Sequence, residues 1–184
     1  MSTVLVPLAE GFEEIEAVTV IDLLRRAGIN VVTASLTQRH QVTGSRQVVL
    51  AADSLIDDVK ESTFDMVVLL GGQPGTNNLN SDARIATLLQ NQLNANKYIA
   101  AICAAPLVLA NAKILNQHRA TCYPGVLKQE DWPEISLIDQ TVVIDDRIIT
   151  SKGPGTAMDF ALSIIEILTT QQTRNQVEND LVRH

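Results

Sequence analysis

The sequence predicts an α/β fold in which helices cover both faces of a mostly parallel, doubly wound sheet. Of the 184 residues, 46% are apolar and only 3% are aromatic, so we expect a core of aliphatic side chains, as in parallel sheets. Short apolar runs alternate with segments of helical periodicity, which favours right-handed strand–helix–strand crossovers. The length, together with the lack of repeats and long linkers, predicts one domain over residues 1–184.

The N-terminal segment predicts a strand, a loop and an amphipathic helix. Thr3–Leu8 is a short apolar run, and after Gly11 apolar residues recur at helical spacing up to Leu24. Gly28 supplies a left-handed stop, and charges of the favourable sign for the helix dipole lie at both ends. These charges are Glu13, Glu14 and Glu16 in the first turn, and Arg25 and Arg26 in the last.

The rest of the chain continues this alternation. Residues 66–70 form a fully apolar run that stops at Gly71 and Gly72, the pattern of a buried parallel strand, and Tyr98–Ile102 predicts another, with Cys103 at its end. Ser81 is expected to cap the helix between them. Further strands are predicted at 30–35, 120–123, 141–145 and 147–150, and a hairpin is predicted at 38–50. Helices are predicted at 81–95, after Pro106, at 156–168 and at 171–184. The helix at 156–168 is expected to begin with a capping box at Thr156.

Three loops are expected to meet at the carboxyl ends of the strands, where open α/β sheets bind their ligands. They are residues 9–16 after the first strand, 71–76 after the strand at 66–70, and 103–106 after the strand at 98–102. Because successive helix positions are about 100° apart, at most one or two of the three first-turn glutamates can face this region. The helix dipole explains the others.

Cys103 is the candidate nucleophile of this region. At a strand-to-helix turn the unpaired N–H groups and the helix dipole favour an anion, so we expect a nucleophile elbow and a lowered thiol pKa. A small buried cysteine that only fills space is the alternative. The N–H groups of Gly71 and Gly72 could bind an oxyanion with that of Ala104, although an ordinary glycine turn also explains the pair. An acid beside a buried thiol would have a raised pKa and could hold a proton for transfer.

Composition and motif spacing exclude several classes of function. A formal net charge of −7, from 21 acidic and 14 basic residues, argues against nucleic-acid and membrane surfaces. No apolar segment matches a signal peptide or a membrane span, which predicts a cytoplasmic protein. The two cysteines and three histidines lack metal-ligand spacing, and the glycine loops match no nucleotide-binding motif. We therefore expect neither a metal nor a cofactor.

Short motifs spread over nearly the whole chain are specific when taken together, although each is weak alone. They are L-A-E-G-F-E-E-I-E-A-V (8–18), R-R-A-G-I (25–29), G-S-R (44–46), V-V-L-L-G-G (67–72), A-A-I-C-A-A-P (100–106) and T-S-K-G-P-G-T (150–156). In these motifs the sequence resembles the ThiJ/PfpI superfamily, in the branch that contains the parkinsonism-associated protein deglycase and bacterial YajL. The resemblance implies a flavodoxin-like three-layer sandwich that usually forms a homodimer.

The resemblance also implies roles for particular residues. Cys103 resembles the reactive cysteine of the family, and Glu16 resembles the protonated glutamate that hydrogen-bonds its sulfur. Gly72 and Ala104 match the N–H donors of the oxyanion hole. Positions at the rim of the site or at the dimer interface are matched by Arg46, by Arg26 from a second subunit, by Tyr123 and by Pro154.

Departures from the family pattern narrow the expected function. In the deglycase branch a histidine often lies near the active site between a threonine and a proline, whereas the motif T-C-Y-P has Tyr123 at that position, and YajL-like members also lack the histidine. Family peptidases and amidotransferases have histidine directly after the nucleophile, whereas Ala104 follows Cys103. Protease and glutaminase functions are therefore disfavoured.

Three functions remain open at this point. The first is a cofactor-free deglycase or glutathione-independent glyoxalase, in which Cys103 attacks the aldehyde of a small dicarbonyl or of its early adducts with proteins or nucleotides, while Glu16 moves a proton. The second is a redox-responsive chaperone or sensor that uses oxidation of Cys103. There Cys122 is not expected to resolve the oxidised thiol, because it faces away when Tyr123 faces the site. The third is a dimeric scaffold with an inert pocket. None of the three functions is expected to involve a membrane or a sequence-specific nucleic acid.

Overall fold

A computed structural model describes residues 1–183 and has strands and helices in alternating order. The strands are β1 (Thr3–Leu8), β2 (Asn30–Ser35), β3 (Gln41–Thr43), β4 (Val49–Ala51), β5 (Ser54–Leu55), β6 (Met66–Leu69), β7 (Tyr98–Ile102), β8 (Arg119–Ala120), β9 (Ser136–Leu137), β10 (Val142–Asp145) and β11 (Ile148–Ser151). The helices are α1 (Glu14–Arg26), α2 (Ile56–Val59), α3 (Gly75–Ser81), α4 (Ala83–Asn94), α5 (Pro106–Asn111), α6 (Ala157–Leu168) and α7 (Gln171–Asp180).

The central sheet has seven strands in the order β10-β11-β7-β6-β1-β2-β5. Neighbouring strands are parallel except for β10, which pairs antiparallel with β11. After β5 the chain returns to the other side of β1 to form β6, so the winding direction reverses between β1 and β6. Ligand sites of open α/β sheets lie at such a reversal, outside the carboxyl ends of the strands.

Side chains of the sheet alternate between two apolar cores, one on each face. In β1, Val4 and Val6 pack in the same core as residues of α1 and α6, whereas Leu5 packs in the core that includes residues of α4 and α5. All three side chains are fully buried. The flavodoxin-like three-layer sandwich predicted from the sequence is therefore confirmed.

The predicted hairpin is formed by β3 and β4, which pair with each other outside the central sheet. It is held against the segment that leads into α1, because the Gly11 N–H donates to the Thr43 carbonyl oxygen at 2.7 Å. The Glu14 carboxylate accepts hydrogen bonds from the Ser45 hydroxyl, at 3.1 Å, and from the Arg46 N–H. The loop that carries Arg46 is thus fixed beside the start of α1.

The helix predicted to begin at Ser81 begins instead at Ala83. Its N-cap is Asp82, whose carboxylate accepts a hydrogen bond from the Arg84 N–H at 2.9 Å. Ser81 ends the preceding helix, α3, and its hydroxyl donates to the Asn77 carbonyl oxygen at 3.0 Å. Sequence analysis placed the cap one residue early, because aspartate and serine are both good N-cap residues, and it predicted no helix at the position of α3.

Two other expectations near the sheet edge were wrong. The strand predicted at 120–123 ends at Ala120 and pairs with β9 outside the central sheet, because the Tyr123 N–H donates instead to the Cys103 carbonyl oxygen at 2.8 Å. The predicted capping box at Thr156 is absent from α6. The Thr156 hydroxyl donates to the Gly153 carbonyl oxygen at 2.9 Å, within a 3₁₀ turn that precedes the helix.

Candidate active site

The carboxyl ends of β1, β6 and β7 bring the three predicted loops together around Gly71. A Cβ atom built on Gly71 would lie 2.6 Å from Cβ and 2.9 Å from Sγ of Cys103, and 3.0 Å from Oε2 of Glu16. Since side chains do not tolerate such distances, only glycine fits between these two groups. The Gly71 N–H donates to Glu16 Oε2 at 2.8 Å, and the Gly71 carbonyl oxygen accepts from the Glu13 N–H at 2.9 Å.

Cys103 lies at a strained turn between β7 and α5. Its φ of 65° is in the left-handed region, which residues other than glycine rarely adopt and which favours a nucleophile elbow. The Cys103 N–H donates to the Ser151 carbonyl oxygen at 3.0 Å, and the Cys103 carbonyl oxygen accepts from the Tyr123 N–H. These bonds to two separate segments hold the strained conformation. The residue is 8% exposed, so its thiol lies just below the surface.

Glu16 presents a fully buried carboxyl group to this site from the first turn of α1. Glu13 is the N-cap of the helix, and its carboxylate accepts from the Glu16 N–H at 2.8 Å. Oε1 of Glu16 has no hydrogen-bond partner within residues 1–183, so ionisation of this group is poorly compensated. Burial raises the pKa of Glu16 to about 7, against the lowering effect of hydrogen bonds with Gly71 and Cys103. The expectation of an acid with a raised pKa is confirmed.

The backbone N–H groups of Ala104 and Gly72 both favour a negative charge on the sulfur of Cys103 and so lower the pKa of the thiol. Gly72 has a φ of 93°, and a Cβ atom at this position would lie 2.5 Å from the Glu13 nitrogen. The two donors come from the ends of different strands, β6 and β7. Backbone N–H groups that favour a negative charge at one place are the type of donor that an oxyanion hole uses.

The predicted lowering of the Cys103 pKa is wrong. Burial, followed by the charge and the hydrogen bond of Glu16, raises the pKa of the thiol to about 12, whereas the N–H groups of Ala104 and Gly72 lower it by less. The prediction considered the helix dipole and the free N–H groups of the turn. Removal of the thiolate from water is the larger effect, and its size depends on burial that the local sequence does not reveal.

Cys103 and Glu16 titrate as a pair, because the charge of one opposes ionisation of the other. Below about pH 7 both groups hold a proton; above it the pair carries one charge and one remaining proton. When this proton lies on Glu16, the sulfur is a thiolate that faces a carboxylic acid and two N–H donors. The sulfur is thus a thiolate only in the form of the pair in which Glu16 holds the remaining proton.

Tyr123 and the segment around Pro154 form one wall of the site. A Cβ atom built on Gly153 would lie 3.2 Å from Cδ2 of Tyr123 and 4.0 Å from Sγ of Cys103, so the ring and the thiol flank this glycine. Pro154 follows directly and begins the 3₁₀ turn. Cys122 packs against the opposite core from Cys103, which confirms that it faces away.

The two predicted rim arginines occupy different parts of the chain. Arg46 is exposed in the hairpin loop that Glu14 holds beside the start of α1. Arg26 ends α1 and pairs with Asp22 at 2.6 Å. It lies roughly 15 Å along the helix from Glu16, given the rise of an α-helix. Within one chain, Arg46 is thus near the site but Arg26 is not.

The two histidines in the described part of the chain, His40 and His118, bond to groups other than Cys103 and Glu16. Nδ1 of His40 bonds to the Ala52 carbonyl oxygen at 2.8 Å, and Nδ1 of His118 lies 3.2 Å from Oδ2 of Asp145. His184 lies outside the described residues. In the part of the chain that the structure describes, no cluster of His, Cys, Asp and Glu has the arrangement of a metal site. Over the same residues, no helix has both the length and the hydropathy that crossing a membrane requires.

The structure gives three residues roles at the site that sequence analysis did not predict. Gly71 was expected to offer its N–H to an oxyanion, but this N–H donates to the carboxylate of Glu16. Gly153 leaves room between Tyr123 and the thiol, and Glu14 anchors the loop of Arg46. Glycine soon after a buried strand is a usable signal for Gly71 and Gly153. Glu14 gives no such signal, because its partners come from a hairpin some thirty residues further along the chain.

Comparison with known proteins agrees with this geometry: residues 2–167 match the DJ-1/PfpI family. The chain belongs to the DJ-1/PfpI family. The resemblance seen in the sequence is therefore confirmed. Cys103 and its neighbours Gly72, Ala104 and Glu16 all lie within the matched region.

Individual relatives extend this similarity over the whole chain. The chain is 41% identical over 164 residues to Protein DJ-1 homolog B of Arabidopsis thaliana; this match covers 89% of the chain but only 37% of that relative, so the chain spans less than half its length. It is 38% identical over 168 residues to Glutathione-independent glyoxalase DJR-1.2 of Caenorhabditis elegans, covering 91% of the chain and 89% of that protein. A solved structure described as Toxoplasma gondii DJ-1, oxidized, matches with a TM-score of 0.92 and 36% identity, covering 99% of the chain and 98% of that structure.

The pH dependence of Cys103 alkylation should follow the ionisation of the Cys103–Glu16 pair. We expect the rate to rise with a midpoint near pH 7, because the pair loses its first proton there. In Glu16→Gln only the buried thiol can titrate, so the midpoint should move to higher pH. Iodoacetamide labelling with mass spectrometry of the Cys103 peptide gives both profiles, and the Cys122 peptide in the same samples is the control. A midpoint that stays in place or falls in Glu16→Gln would contradict the shared proton.

Proposed function

We propose that the protein is a cysteine-dependent, cofactor-free enzyme of carbonyl-stress defence that acts on methylglyoxal, glyoxal or their early glycation adducts. The observation that carries this proposal is the convergence of an acid, Glu16, and two N–H donors on the sulfur of a strained cysteine. Such a set can activate a nucleophile, hold an oxyanion and move a proton. The name of the glyoxalase relative from Caenorhabditis elegans supports the same chemistry.

The reaction begins with addition of the Cys103 thiolate to the aldehyde carbon of methylglyoxal. A carbon–sulfur bond forms, and the π electrons of the carbonyl group move to oxygen. The N–H groups of Gly72 and Ala104 donate to this oxyanion. Glu16, which took the thiol proton when the thiolate formed, then returns it to the oxygen and leaves a hemithioacetal.

Glu16 next serves as the base of an internal rearrangement. Its carboxylate removes the proton from the former aldehyde carbon, and a proton then returns to the neighbouring carbon, so that the ketone becomes an alcohol and the first carbon becomes a thioester. Water hydrolyses the thioester, which releases lactate and restores the Cys103 thiol. The sum is one methylglyoxal and one water to one lactate, and no external oxidant or reductant is needed.

An early adduct of an amine enters the same sequence at the first step. In a hemiaminal the amine nitrogen is bonded to the carbon that the sulfur must attack. The carbon–nitrogen bond breaks, the amine leaves with a proton from Glu16, and sulfur takes its place on the carbon. The later steps are unchanged, so the products are the free amine and a hydroxy acid.

Lactate formation from methylglyoxal tests this mechanism. Cys103→Ala should abolish it, and Glu16→Gln should lower kcat about 100-fold or more, because it removes the acid and base of both steps. Cys122→Ala is the matched control and should keep the rate of the unmodified protein, since this thiol faces the other core. Lactate is measured enzymatically over time. Equal lactate production by Cys103→Ala and the unmodified protein would reject the mechanism.

Redox sensing or chaperone action through oxidised Cys103 is the second candidate function. The similarity to a DJ-1 structure described as oxidized favours it, as does the buried Oε1 of Glu16, which lacks a partner within residues 1–183. The thiolate would attack a peroxide oxygen and release hydroxide to give a sulfenic acid, and attack on a second peroxide would release water and give a sulfinic acid. The protonated Glu16 and the N–H groups of Gly72 and Ala104 would donate to the added oxygens.

Mild peroxide treatment tests the second candidate. Cys103 should gain oxygen before Met158, although the methionine is far more exposed, because the thiolate is the better nucleophile. Glu16→Gln should slow this oxidation, since it removes the group that accepts the thiol proton. Peptide mass spectrometry over a peroxide series measures both sites. If Met158 and Cys122 are oxidised while Cys103 stays unmodified, this function is excluded.

We propose that the protein works as a homodimer joined through α1 and the β3–β4 hairpin. Four apolar side chains on these elements are 48% to 58% exposed: Ile15, Val18, Val48 and Val49. Burial of such a patch between two copies removes apolar surface from water. An antiparallel contact of two α1 helices would also bring Arg26 of a second copy toward the end of α1 that carries Glu16.

Light scattering after gel filtration tests the dimer. The unmodified chain should have twice the mass of one chain, and Val18→Asp should shift it to the monomer, because a charge would be buried at the contact. Leu93→Asp is the matched control, as it places the same charge at an exposed apolar position of a different helix, α4. A monomeric unmodified chain, or equal shifts in both variants, would contradict the proposed interface.

We also propose that the protein acts in the cytoplasm. Cys103 and Cys122 are both free thiols. Free thiols persist in reducing compartments, whereas oxidising ones favour disulfides. A reaction that depends on the thiol of Cys103 requires such a compartment.

A further inference from the structure

A cavity of about 370 Å³ lies beside the Cys103 site, and the steps above make no use of it. Its walls come from the loop after β8, from the residues around the end of β9, and from Lys152 after β11. Leu127, Leu137 and Ile138 make much of this wall apolar. The volume exceeds what a three-carbon dicarbonyl needs, so the cavity suits a larger ligand.

The cavity is connected to the reactive sulfur through Tyr123. This residue lines the cavity, and its ring also lies beside Gly153. A Cβ atom built on Gly153 would lie 3.2 Å from Cδ2 of Tyr123 and 4.0 Å from Sγ of Cys103. Lys152, another wall residue, directly precedes Gly153. The cavity and the sulfur therefore share Tyr123 as a neighbour, and a ligand that reaches both must pass this ring.

The rim of the cavity carries one charge of each sign. Nζ of Lys152 pairs with Oδ1 of Asp139, and the two side chains are 33% and 88% exposed. Exposed ion pairs contribute little to stability, so a ligand can exchange this pair for two of its own. A free amino acid has the matching groups: its α-ammonium group fits Asp139, its α-carboxylate fits Lys152, and its aliphatic stem fits the apolar wall.

We infer that this cavity binds the amino-acid half of an early glycation adduct, with Asp139 and Lys152 selecting free α-ammonium and α-carboxylate groups. The inference rests on the proposed function, since it assigns the substrate class of the same site. The adduct carbon lies at Cys103, and the amine that leaves is held in the cavity. Adducts of free amino acids are then preferred to adducts inside a protein chain, whose α groups are in peptide bonds.

Isothermal calorimetry with Nε-(1-carboxyethyl)-lysine, a stable compound that joins lysine to a lactate-like group, tests the inference. Cys103→Ser protein is used, so that binding is measured without turnover. Lys152→Gln and Asp139→Asn should each weaken binding about fivefold or more, as expected for loss of one charged contact. Lys60→Gln, which breaks another exposed ion pair, is the matched control and should bind like the parent.

A second ligand separates recognition of the zwitterion from effects on folding. The same compound with its α-amino group acetylated and its α-carboxylate amidated should bind the parent about as weakly as the free ligand binds the two variants. It should also bind the parent and both variants equally. Equal affinity of the parent for the free and blocked ligands would overturn the inference, and so would no binding at up to about 10 mM ligand.

Turnover of methylglyoxal by the Cys103-intact protein keeps this test separate from the proposed function. Lys152→Gln and Asp139→Asn should leave kcat/KM for methylglyoxal within about twofold of the unmodified value, because the small substrate does not reach the cavity. If the unmodified protein does not turn over methylglyoxal, the proposed function is rejected. If it does, but the lysine compound binds the parent and the two charge variants equally, only the assignment of the cavity is rejected.

Discussion

The site depends on the close approach of α1, β6 and β7 at Gly71, where any side chain would collide with both reactive groups. The glycine lets the Glu16 carboxyl group and the Cys103 thiol share one small volume, and its own N–H holds the carboxylate in place. The same residue accepts a hydrogen bond from Glu13, the N-cap of α1, so the start of the helix and the end of β6 are fixed together. Packing of the sheet edge and chemistry at the sulfur therefore have a common origin.

Burial at this edge gives the acid and the thiol complementary roles. A carboxyl group with a pKa raised to about 7 is half ionised near neutral pH, so it can accept the thiol proton and return it in the next step. The same burial raises the pKa of Cys103, as do the charge and the hydrogen bond of Glu16, and the N–H groups of Gly72 and Ala104 oppose this rise. In a cysteine–histidine pair, a protonated histidine can lie beside the thiolate. The Cys103–Glu16 pair has no cation, and it carries one negative charge as long as one of its two groups keeps a proton. A single shared proton is enough because each step of the proposed reaction returns it.

The layout of the fold could be predicted because it depends on short-range patterns: apolar runs ended by glycine locate the strands. Helical spacing left open which of the three first-turn glutamates faces Cys103, and only the resemblance to the family identified Glu16. The sign of the Cys103 pKa shift could not be predicted, because desolvation depends on how deeply distant segments bury the thiol. Glu14 shows the same limit: it has the position of a dipole-stabilising acid, yet its carboxylate holds the Ser45–Arg46 loop. The N-cap of α4 was placed one residue early for a local reason, since Ser81 and Asp82 are both good cap residues.

The segments that hold the strained backbone of Cys103 also control which molecules reach its thiol. The thiol of this residue, whose backbone is left-handed, lies beside Gly71, and hydrogen bonds from Tyr123 and to Ser151 maintain that conformation. Tyr123 therefore has two roles: its backbone supports the elbow, while its half-exposed ring forms a wall of the opening beside Gly153. Substitution of its side chain can change which molecules reach the sulfur without removing the backbone bond that supports the nucleophile. A site built in this way can vary its substrate range at Tyr123 while Glu16, Gly71 and Cys103 keep the same reactive geometry.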